Sequence, residues 1–555
     1  MFIKIFRPIG LLLGMSLLTT GVVNAQKLKK ADKALVAALE AHVTFLASDQ
    51  LEGRRTGTPG EEKAAAYIAG EFEKAGLQPG VEGKFEQVFT INEGKQVDPT
   101  SFLFINGIEL KVHQDFFPLV YSAQEALESF PSMAIKEAGV PWFVELNEFV
   151  KSELEKNPHV DMNDAVRALA MKLEEKGATA VIFYEATGIK DVLKFEPKGN
   201  GDKPANIPLI VVKEQAASKF LKDHAASYEI KLKVKLSDKI RKGRNVVGIV
   251  DNNAPNTVVL GAHYDHLGYG EDGNSMIREG NPGIHNGADD NASGTAVLIE
   301  LAKAVKAKQL KQYNYVFAAF SGEELGLIGS RYFTEHLPLK DKPLNYMVNM
   351  DMVGRLKSPE NVITVGGYGT SPSWEKLVLN KKDKSLVVSI DSSGAGPSDH
   401  YSFYRINVPV LFFFTGTHQD YHKPSDDADK LNYTGMFLVE RKIMDIVTAA
   451  EKEPKLSFLK TREKQTASST SFKVTLGIMP DYVFYGTGVK IDGTTTGKPA
   501  EKAGLKKGDI VVKIGDLTIS GMEDYMKALG SFEKGQQTTV VFVRDGKEMK
   551  AEVNW

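Results

Sequence analysis

The sequence of 555 residues contains no cysteine. This absence excludes disulfide bonds, cysteine nucleophiles and thiolate metal sites, so any bound metal must take nitrogen and oxygen ligands. The chain also lacks a long basic block, and its formal net charge is only −2, so no nucleic-acid partner is expected. A chain of this length exceeds one ordinary hydrophobic core, and several domains are therefore expected.

Long apolar runs are also scarce, and the one at the N-terminus is short for a membrane span of about 20 residues. Lys4 and Arg7 precede the apolar stretch 9–18, and residues 23–25 (VNA) form a small-residue cleavage site. This order is typical of a secretory signal peptide. We therefore expect an exported, periplasmic or extracellular product that does not span the membrane.

Apolar runs alternate with helical segments from Arg244 to about residue 450. The runs TVVLGAHYD, YNYVFAAFSG, LNYMVNMDM and VPVLFFFTG are continuously apolar, as strands covered on both faces are. Helices are predicted between them, as at 294–308, and earlier at 33–47 and 60–75. The alternation predicts a three-layer α/β domain with a largely parallel central sheet.

Histidines and acidic residues occur where these predicted strands end, at His263, Asp289, Glu323, Glu324, Asp351 and His422. In open α/β sheets, ligands bind beyond the carboxyl ends of the strands. Singly, each residue has an ordinary explanation, such as a turn, a helix N-terminus or a surface hydrogen bond. Together they predict a two-metal hydrolytic site, because an uncompensated carboxylate beside buried strands is costly and a metal-bound one is not.

The number of ligands fits two zinc ions, which in such sites lie about 3.5–4 Å apart. Asp289 is predicted to bridge the two ions. The terminal ligands are then expected in two pairs, His263 with Asp351 and Glu324 with His422. Metal binding lowers the pKa of a water to about 7, which gives a nucleophile at neutral pH.

Two further acidic residues receive catalytic roles in this scheme. Glu323 is adjacent to a predicted ligand and is expected to act as general base toward the attacking water, then to protonate the leaving amine. Asp265 follows His263 by two residues and is expected to hydrogen-bond the second ring nitrogen of that histidine.

These motifs resemble the co-catalytic dizinc aminopeptidase family, to which glutamate carboxypeptidase II and the transferrin receptor also belong. The stretch HVTFLASDQLEGRRTGTPG is similar to the bacterial exported members, and the ligand motifs match in GAHYDHLG, NGADDNASG, SGEELGLIGS, NMDMVGR, GPSDHYSFY and DYHKPSDDADKLN. The resemblance implies a phosphorylase/hydrolase-like zinc exopeptidase fold with two Zn²⁺ per chain. It also implies an aminopeptidase that acts on peptides with a free N-terminus, with the same ligands and with Glu323 as base.

The chain departs from this family at one position. Some small secreted relatives carry a tyrosine three residues before the Ser-Asp of the SDH motif, where it stabilises the oxyanion, and here Ala395 takes that place. His400 and Tyr401 are the candidates for this role by proximity in sequence, and the second zinc is the other candidate.

Two other stretches resemble known modules. The segments EKGATAVIFYEA and IPLIVVKEQAASKFL resemble a protease-associated (PA) domain, an insert found in exported peptidases. The segment KPAEKAGLKKGDIVVKIGDLTI resembles the PDZ domain of bacterial proteases, which implies a peptide-carboxylate loop at Leu476, Gly477 and Ile478. A PDZ domain binds a peptide ligand by strand addition.

The expected organisation follows from these patterns: signal peptide 1–25, N-terminal part of the peptidase domain 26–110, PA insert 111–239, dizinc peptidase domain 240–453, linker 454–470 and PDZ domain 471–555. Three alternative functions stay open. A carboxypeptidase would need an arginine cluster for substrate carboxylates, and a glutaminyl cyclase of the same fold would use one zinc. A catalytically inactive peptide-binding scaffold is the third alternative.

Overall fold

A computed structural model describes residues 28–156, 162–186, 193–197, 204–277, 283–379, 385–461, 474–480, 484, 487–494 and 497–555. The predicted signal peptide and most of the predicted linker lie outside these ranges. Within them, every helix is too short or too polar to cross a membrane.

The described residues form twelve α-helices, numbered in chain order: α1 Lys30–Leu46, α2 Pro59–Lys74, α3 Leu146–Lys156, α4 Met162–Glu175, α5 Glu214–Phe220, α6 Gly294–Lys308, α7 Ile328–Glu335, α8 Trp374–Val378, α9 His400–Tyr404, α10 Tyr433–Ala450, α11 Pro499–Lys502 and α12 Met522–Gly530. The start of α2 shows how the sequence sets a boundary, because Thr58 caps the backbone N–H of Glu61 and Pro59 occupies the first turn. The three predicted helices agree with α1, α2 and α6 to within a few residues.

Twenty-three strands occur in the same ranges: β1 Gln78–Pro79, β2 Glu86–Val97, β3 Phe102–Ile105, β4 Ile108–Leu110, β5 Phe116–Pro118, β6 Ala126–Ser129, β7 Trp142–Glu145, β8 Val181–Tyr184, β9 Leu209–Val212, β10 Ile230–Lys233, β11 Leu236–Val250, β12 Thr257–His263, β13 Asn314–Phe320, β14 Leu344–Met350, β15 Val362–Gly366, β16 Val387–Ile390, β17 Val410–Phe414, β18 Ile478–Pro480, β19 Val489–Thr494, β20 Ile510–Ile514, β21 Leu517–Thr518, β22 Gln537–Arg544 and β23 Lys547–Asn554.

The central sheet has nine strands in the order β1-β11-β13-β12-β14-β17-β15-β16, with β2 paired to β11. The four middle strands, β13, β12, β14 and β17, pair in parallel. Antiparallel pairs occur toward the edges, where β11 meets β13 and β15 meets β17. The predicted α/β class with a mostly parallel central sheet is therefore confirmed.

Helices cover both faces of this sheet. Along β13, Tyr315, Phe317 and Ala319 pack in the large core formed with α1, α2, α6 and α10. The alternate residues, such as Phe320, pack in a second core with α7 and α9. Because successive side chains point to opposite faces of a strand, an apolar run that is buried throughout requires a layer on each side.

The insert is built on two smaller sheets, one in the order β4-β3-β10-β6 and the other in the order β5-β9-β8-β7. The long strands β2 and β11 pair with each other and connect this region to the central sheet. Strands β3 and β4 lie before residue 111 but pair within the first insert sheet. The first of these sheets therefore includes two strands that precede residue 111, where the predicted insert begins.

The C-terminal region folds around its own core. Strands β18, β19, β20, β22 and β23 form one sheet, with β21 paired to β20. Its core includes Leu476, Ile491, Val511 and Val540. The apolar residues of this region are therefore buried independently of the central sheet.

One buried acid in the helical layer makes a testable prediction about stability. Glu440 on α10 is 4 % exposed, and burial, with a further contribution from Glu300 on α6, raises its pKa to about 7. The folded state thus binds this proton more tightly than the unfolded state, so the stabilising contribution is present at low pH and is lost as pH rises from about 4.5 to about 7.

We expect Glu440→Gln to remove this decline of stability with rising pH. The free energy of unfolding, measured with denaturant between pH about 5 and about 8, should decline for the wild type by on the order of 3 kcal/mol more than for the variant. Glu73→Gln, which changes an exposed acid on α2, is the control and should keep the wild-type slope. An unchanged slope in Glu440→Gln would contradict the prediction.

Candidate metal centre

The predicted site residues meet at one edge of the central sheet. His263 is the last residue of β12 and lies level with Phe320, the last residue of β13, in the parallel register. Glu323 and Glu324 follow β13 after a turn at Gly322, which has a φ of 70°. Asp351 follows β14 directly. The parallel strands therefore deliver these side chains to a common edge, as the strand-end rule requires.

A first donor group surrounds the imidazole of His263. Its Nε2 lies 3.2 Å from Oδ1 of Asp351 and 3.3 Å from Oδ1 of Asp290. All three residues are buried, with exposed fractions of 8 % or less. Their donor atoms lie close enough together to hold one metal ion.

A second donor group lies on the other side of Asp290. His422 Nε2 is 3.3 Å from Oδ2 of Asp290 and 3.3 Å from Oε2 of Glu324. His266 adds a second imidazole, with its Nδ1 2.7 Å from Oε1 of Glu324 and 4.0 Å from Oδ2 of Asp290. The set of His266, Asp290 and Glu324 could also hold an ion. The two oxygens of one carboxylate thus face two separate donor groups.

The electrostatics of these groups fit divalent cations. Burial alone would lower the pKa of His263, but Asp351 and Glu323 hold it well above its ordinary value. For His422, burial likewise lowers the pKa, but Glu324 and Asp290 raise it to about 9. Such shifts indicate an excess of buried negative charge, which a bound cation would neutralise. Nitrogen and oxygen donors of these types are those that zinc takes in cysteine-free sites.

The position of Asp290 corrects the predicted bridge, which was Asp289. The carboxylate of Asp289 turns away from both donor groups. Its Oδ1 accepts hydrogen bonds from the backbone N–H of Gly354 at 2.6 Å and from Ser293 Oγ at 3.0 Å. Its Oδ2 lies 3.2 Å from Nε2 of His418. The side chains of Asp289 and Asp290 therefore point in different directions. The contacts with Gly354, Ser293 and His418 hold the carboxylate of Asp289 away from the two donor groups.

Asp265 lies beside the second ring nitrogen of His263. That nitrogen, Nδ1, is 3.2 Å from the backbone oxygen of Asp265 and 3.7 Å from its carboxylate oxygen Oδ1, and this carboxylate raises the pKa of His263. The carboxylate also accepts hydrogen bonds from Thr56 Oγ1 at 2.9 Å and from the backbone N–H of Glu323 at 3.2 Å. Asp265 therefore links the end of β12 to the loop that carries the predicted base.

Glu323, the predicted base, lies among other carboxylates. Burial raises its pKa well above the ordinary range; His263 opposes this shift, and the carboxylates of Asp351 and Glu324 add to it. This carboxyl group therefore holds a proton more tightly than an exposed one does.

The rings of the two predicted oxyanion candidates, His400 and Tyr401, pack among other aromatic side chains. The ring of His400 stacks on Phe412 with centroids 4.4 Å apart, and burial lowers its pKa to about 3. Tyr401 is 2 % exposed and packs in the apolar core with Phe333 and Phe403. Both rings thus contribute mainly to packing.

Tyr421, which sequence reasoning missed, lies beside the donor groups. Its ring stacks on the imidazole of His422, with centroids 3.9 Å apart and an angle of 23° between the planes. Burial raises its pKa, and nearby carboxylates, first Asp290 and Glu324, raise it further. The phenol therefore keeps its proton and can donate a hydrogen bond. The sequence offered one signal for Tyr421, which is that it directly precedes the predicted ligand His422.

Two regions of the chain are similar to known protein families. Residues 245–447 match the family model described as Peptidase family M28, and residues 462–555 match that of the PDZ domain. Aminopeptidase YwaD of Bacillus subtilis (strain 168) is 27 % identical over 322 residues, which cover 54 % of this chain and 63 % of that protein. Leupeptin-inactivating enzyme 1 of Streptomyces exfoliatus is 31 % identical over 192 residues, covering 34 % of this chain and 39 % of that protein.

The chain therefore spans less than two thirds of the length of these two curated relatives. Among solved structures, a zinc aminopeptidase from Bacillus subtilis, BSAP, aligns with 21 % identity and a TM-score of 0.40, over 76 % of this chain and 98 % of that one.

The contrast between the two adjacent acids gives a direct test. We expect Asp290→Asn to weaken zinc binding by more than the roughly 10–100-fold typical of changes behind a ligand, because the amide is neutral and keeps only one of the two oxygens that face the donor groups. Asp289→Asn should retain the metal content of the wild type and lose about 1–3 kcal/mol of stability through its hydrogen bonds. Metal analysis after dialysis and thermal unfolding measure the two effects, and the reverse pattern would restore Asp289 as the bridge.

Proposed function

Since residues 245–447 match the model of Peptidase family M28, we propose that this protein is a zinc-dependent aminopeptidase that removes N-terminal residues from peptides. The observation that carries the proposal is the buried carboxylate of Asp290, which faces a histidine of each donor group at 3.3 Å. The name of the relative Aminopeptidase YwaD supports the same activity.

Two Zn²⁺ ions are the proposed cofactors. His263, Asp290 and Asp351 would hold one ion, and His422, Glu324 and the same Asp290 would hold the other. His266, at 2.7 Å from Glu324, would orient that carboxylate. Bound zinc supplies Lewis-acid polarisation of the scissile carbonyl and of the attacking water.

Glu323 performs the proton transfers in this proposal. Its carboxylate accepts a proton from the water as the oxygen bonds to the scissile carbonyl carbon, and delivers the proton to the leaving nitrogen as the C–N bond breaks. The hydrogen bond from the backbone N–H of Glu323 to Asp265 holds the loop in place.

The carboxylates around the site favour a free α-amine in the substrate. Four carboxylates lie together, on Asp290, Glu323, Glu324 and Asp351, with imidazoles as their neighbours. Two Zn²⁺ ions would balance these four charges, so a substrate ammonium group would be met by individual carboxylate oxygens and not by a net negative charge. This arrangement suits an exopeptidase that recognises the N-terminus.

The same geometry disfavours the alternatives. Arg355 lies near the site but donates to Asp420 at 3.0 Å and to Asp426 at 3.2 Å, so its guanidinium is committed to this chain's own acids. A carboxypeptidase would need such a group for its substrate. A glutaminyl cyclase would use one zinc, whereas two donor groups are present here. An inactive scaffold is disfavoured because the donor set is complete.

Export and peptide capture complete the proposal. The basic, apolar and small-residue segments within 1–25 support export.

In the PDZ region the side chains of Leu476 and Ile478 are buried, and Gly477 has a φ of 76°. This leaves the loop backbone to meet the carboxylate of a peptide ligand. The insert would act as a PA domain that shapes access to the cleft.

The activity is tested with aminoacyl-nitroanilides and dipeptides, each compared with its N-acetylated form. We expect hydrolysis of the free amines only, loss of activity with a chelator, and recovery with zinc. Glu323→Gln should lower kcat by about 10²–10⁴-fold while zinc binding persists, and Glu335→Gln, at an exposed position, serves as the control. Equal cleavage of acetylated substrates, or full activity in Glu323→Gln, would refute the proposal.

Tyr421 is the proposed donor to the oxyanion, in the role expected of His400 or Tyr401. Tyr421→Phe should lower kcat by about 10²–10³-fold with little change in KM, because the hydrogen bond forms as charge develops on the oxygen. Tyr401→Phe removes a hydroxyl from the apolar core and should leave kcat within about threefold of the wild type. A Tyr421→Phe enzyme with wild-type kcat would exclude the role.

A further inference from the structure

Arg54 is a buried arginine that no step described above uses. It ends the short helical segment Asp49–Arg54 between α1 and α2 and is 1 % exposed. Glu52, Gly53 and Arg54 have φ values of 47°, 67° and 49° in succession. Side-chain-bearing residues adopt this left-handed region only at a cost, so the surrounding structure must hold the turn that sends the arginine inward.

The guanidinium of Arg54 is bound by backbone carbonyls. Its Nε donates to the oxygen of Tyr264 at 2.7 Å, and its Nη2 donates to Gly287 at 3.0 Å. Its Nη1 donates to Asn286 at 2.6 Å and also to Leu46. No carboxylate of the described residues lies within ion-pair distance of it. A planar fork with several fixed donors can join separate segments in this way, which a lysine cannot.

Three of the four carbonyls that Arg54 holds, those of Tyr264, Asn286 and Gly287, belong to the two loops that carry His263 and Asp290. Tyr264 directly follows His263 at the end of β12. Gly287 precedes Asp290 by three residues, and a side chain at Gly287 would come within 2.4 Å of the His266 ring. There is little free space between these loops, so a shift of the carbonyls would move both donor groups.

The charge of Arg54 complements the acids of the centre. Burial lowers its pKa to about 10, while the carboxylates of Asp265 and Asp290 favour the charged form. The side chain is therefore a cation at neutral pH. The guanidinium of Arg54 therefore offsets part of the negative charge of the nearby carboxylates.

We propose that Arg54 is a positioning residue for the metal centre, because its guanidinium fixes the His263 and Asp290 loops at the spacing that the two donor groups need. The inference rests on the proposed function, since it presupposes that these groups bind metal.

The test measures binding of zinc alone to the metal-free full chain by calorimetry, in Arg54→Lys and Arg54→Met. We expect zinc affinity to fall by about 10–100-fold in both variants, and the visible absorption of the cobalt-loaded protein to change. Lys442→Met is the matched control, because Lys442 is also a buried cation that donates to a carbonyl, that of Val378 at 2.6 Å. It should lower the unfolding temperature and leave zinc affinity unchanged.

Arg54→Lys decides the question even if Arg54→Met fails to fold, since lysine keeps the charge but cannot span the three segments. A folded Arg54→Lys chain with wild-type zinc affinity and an unchanged cobalt spectrum would overturn this inference alone. A wild-type chain that binds no divalent metal would overturn the proposed function as well, so the two failures are distinguishable.

Discussion

The buried carboxylate of Asp290 is the constraint on which the centre depends. One oxygen faces His263 and the other faces His422, each at 3.3 Å. A carboxylate with so little exposure is stable only if its charge is met, and here other acids surround it as well. The backbone N–H groups of Asp289 and Asp290 both donate to Oδ2 of Asp426, at 2.8 and 3.0 Å, which fixes the turn that presents the carboxylate.

The sheet explains why this charge can be held so far from solvent. The parallel strands β13, β12, β14 and β17 end at one edge, and helices cover both faces behind that edge. Loops from separate parts of the chain then close around the centre; for example, the backbone oxygen of Asn274 lies 2.9 Å from Nδ1 of His422. A sheet that is covered on both faces holds in place the strand ends from which the donor atoms come.

Much of this could be predicted from sequence, because apolar runs and strand-end charges are local patterns. The family and the PDZ resemblance are confirmed by the matched segments. The choice between Asp289 and Asp290 was beyond local reasoning, since contacts from Gly354, Ser293 and His418 decide which acid turns inward. Arg54 lies more than 200 positions away in sequence from the loops it joins, and no spacing in the sequence reveals that contact.

The most direct test of the account is an anomalous difference map from crystals of the full chain grown with zinc, recorded at the zinc absorption edge. The account predicts two peaks, one beside His263 and Asp351 and one beside His422 and Glu324, with the carboxylate of Asp290 between them. A single peak, or two peaks that share Asp289 in place of Asp290, would contradict it.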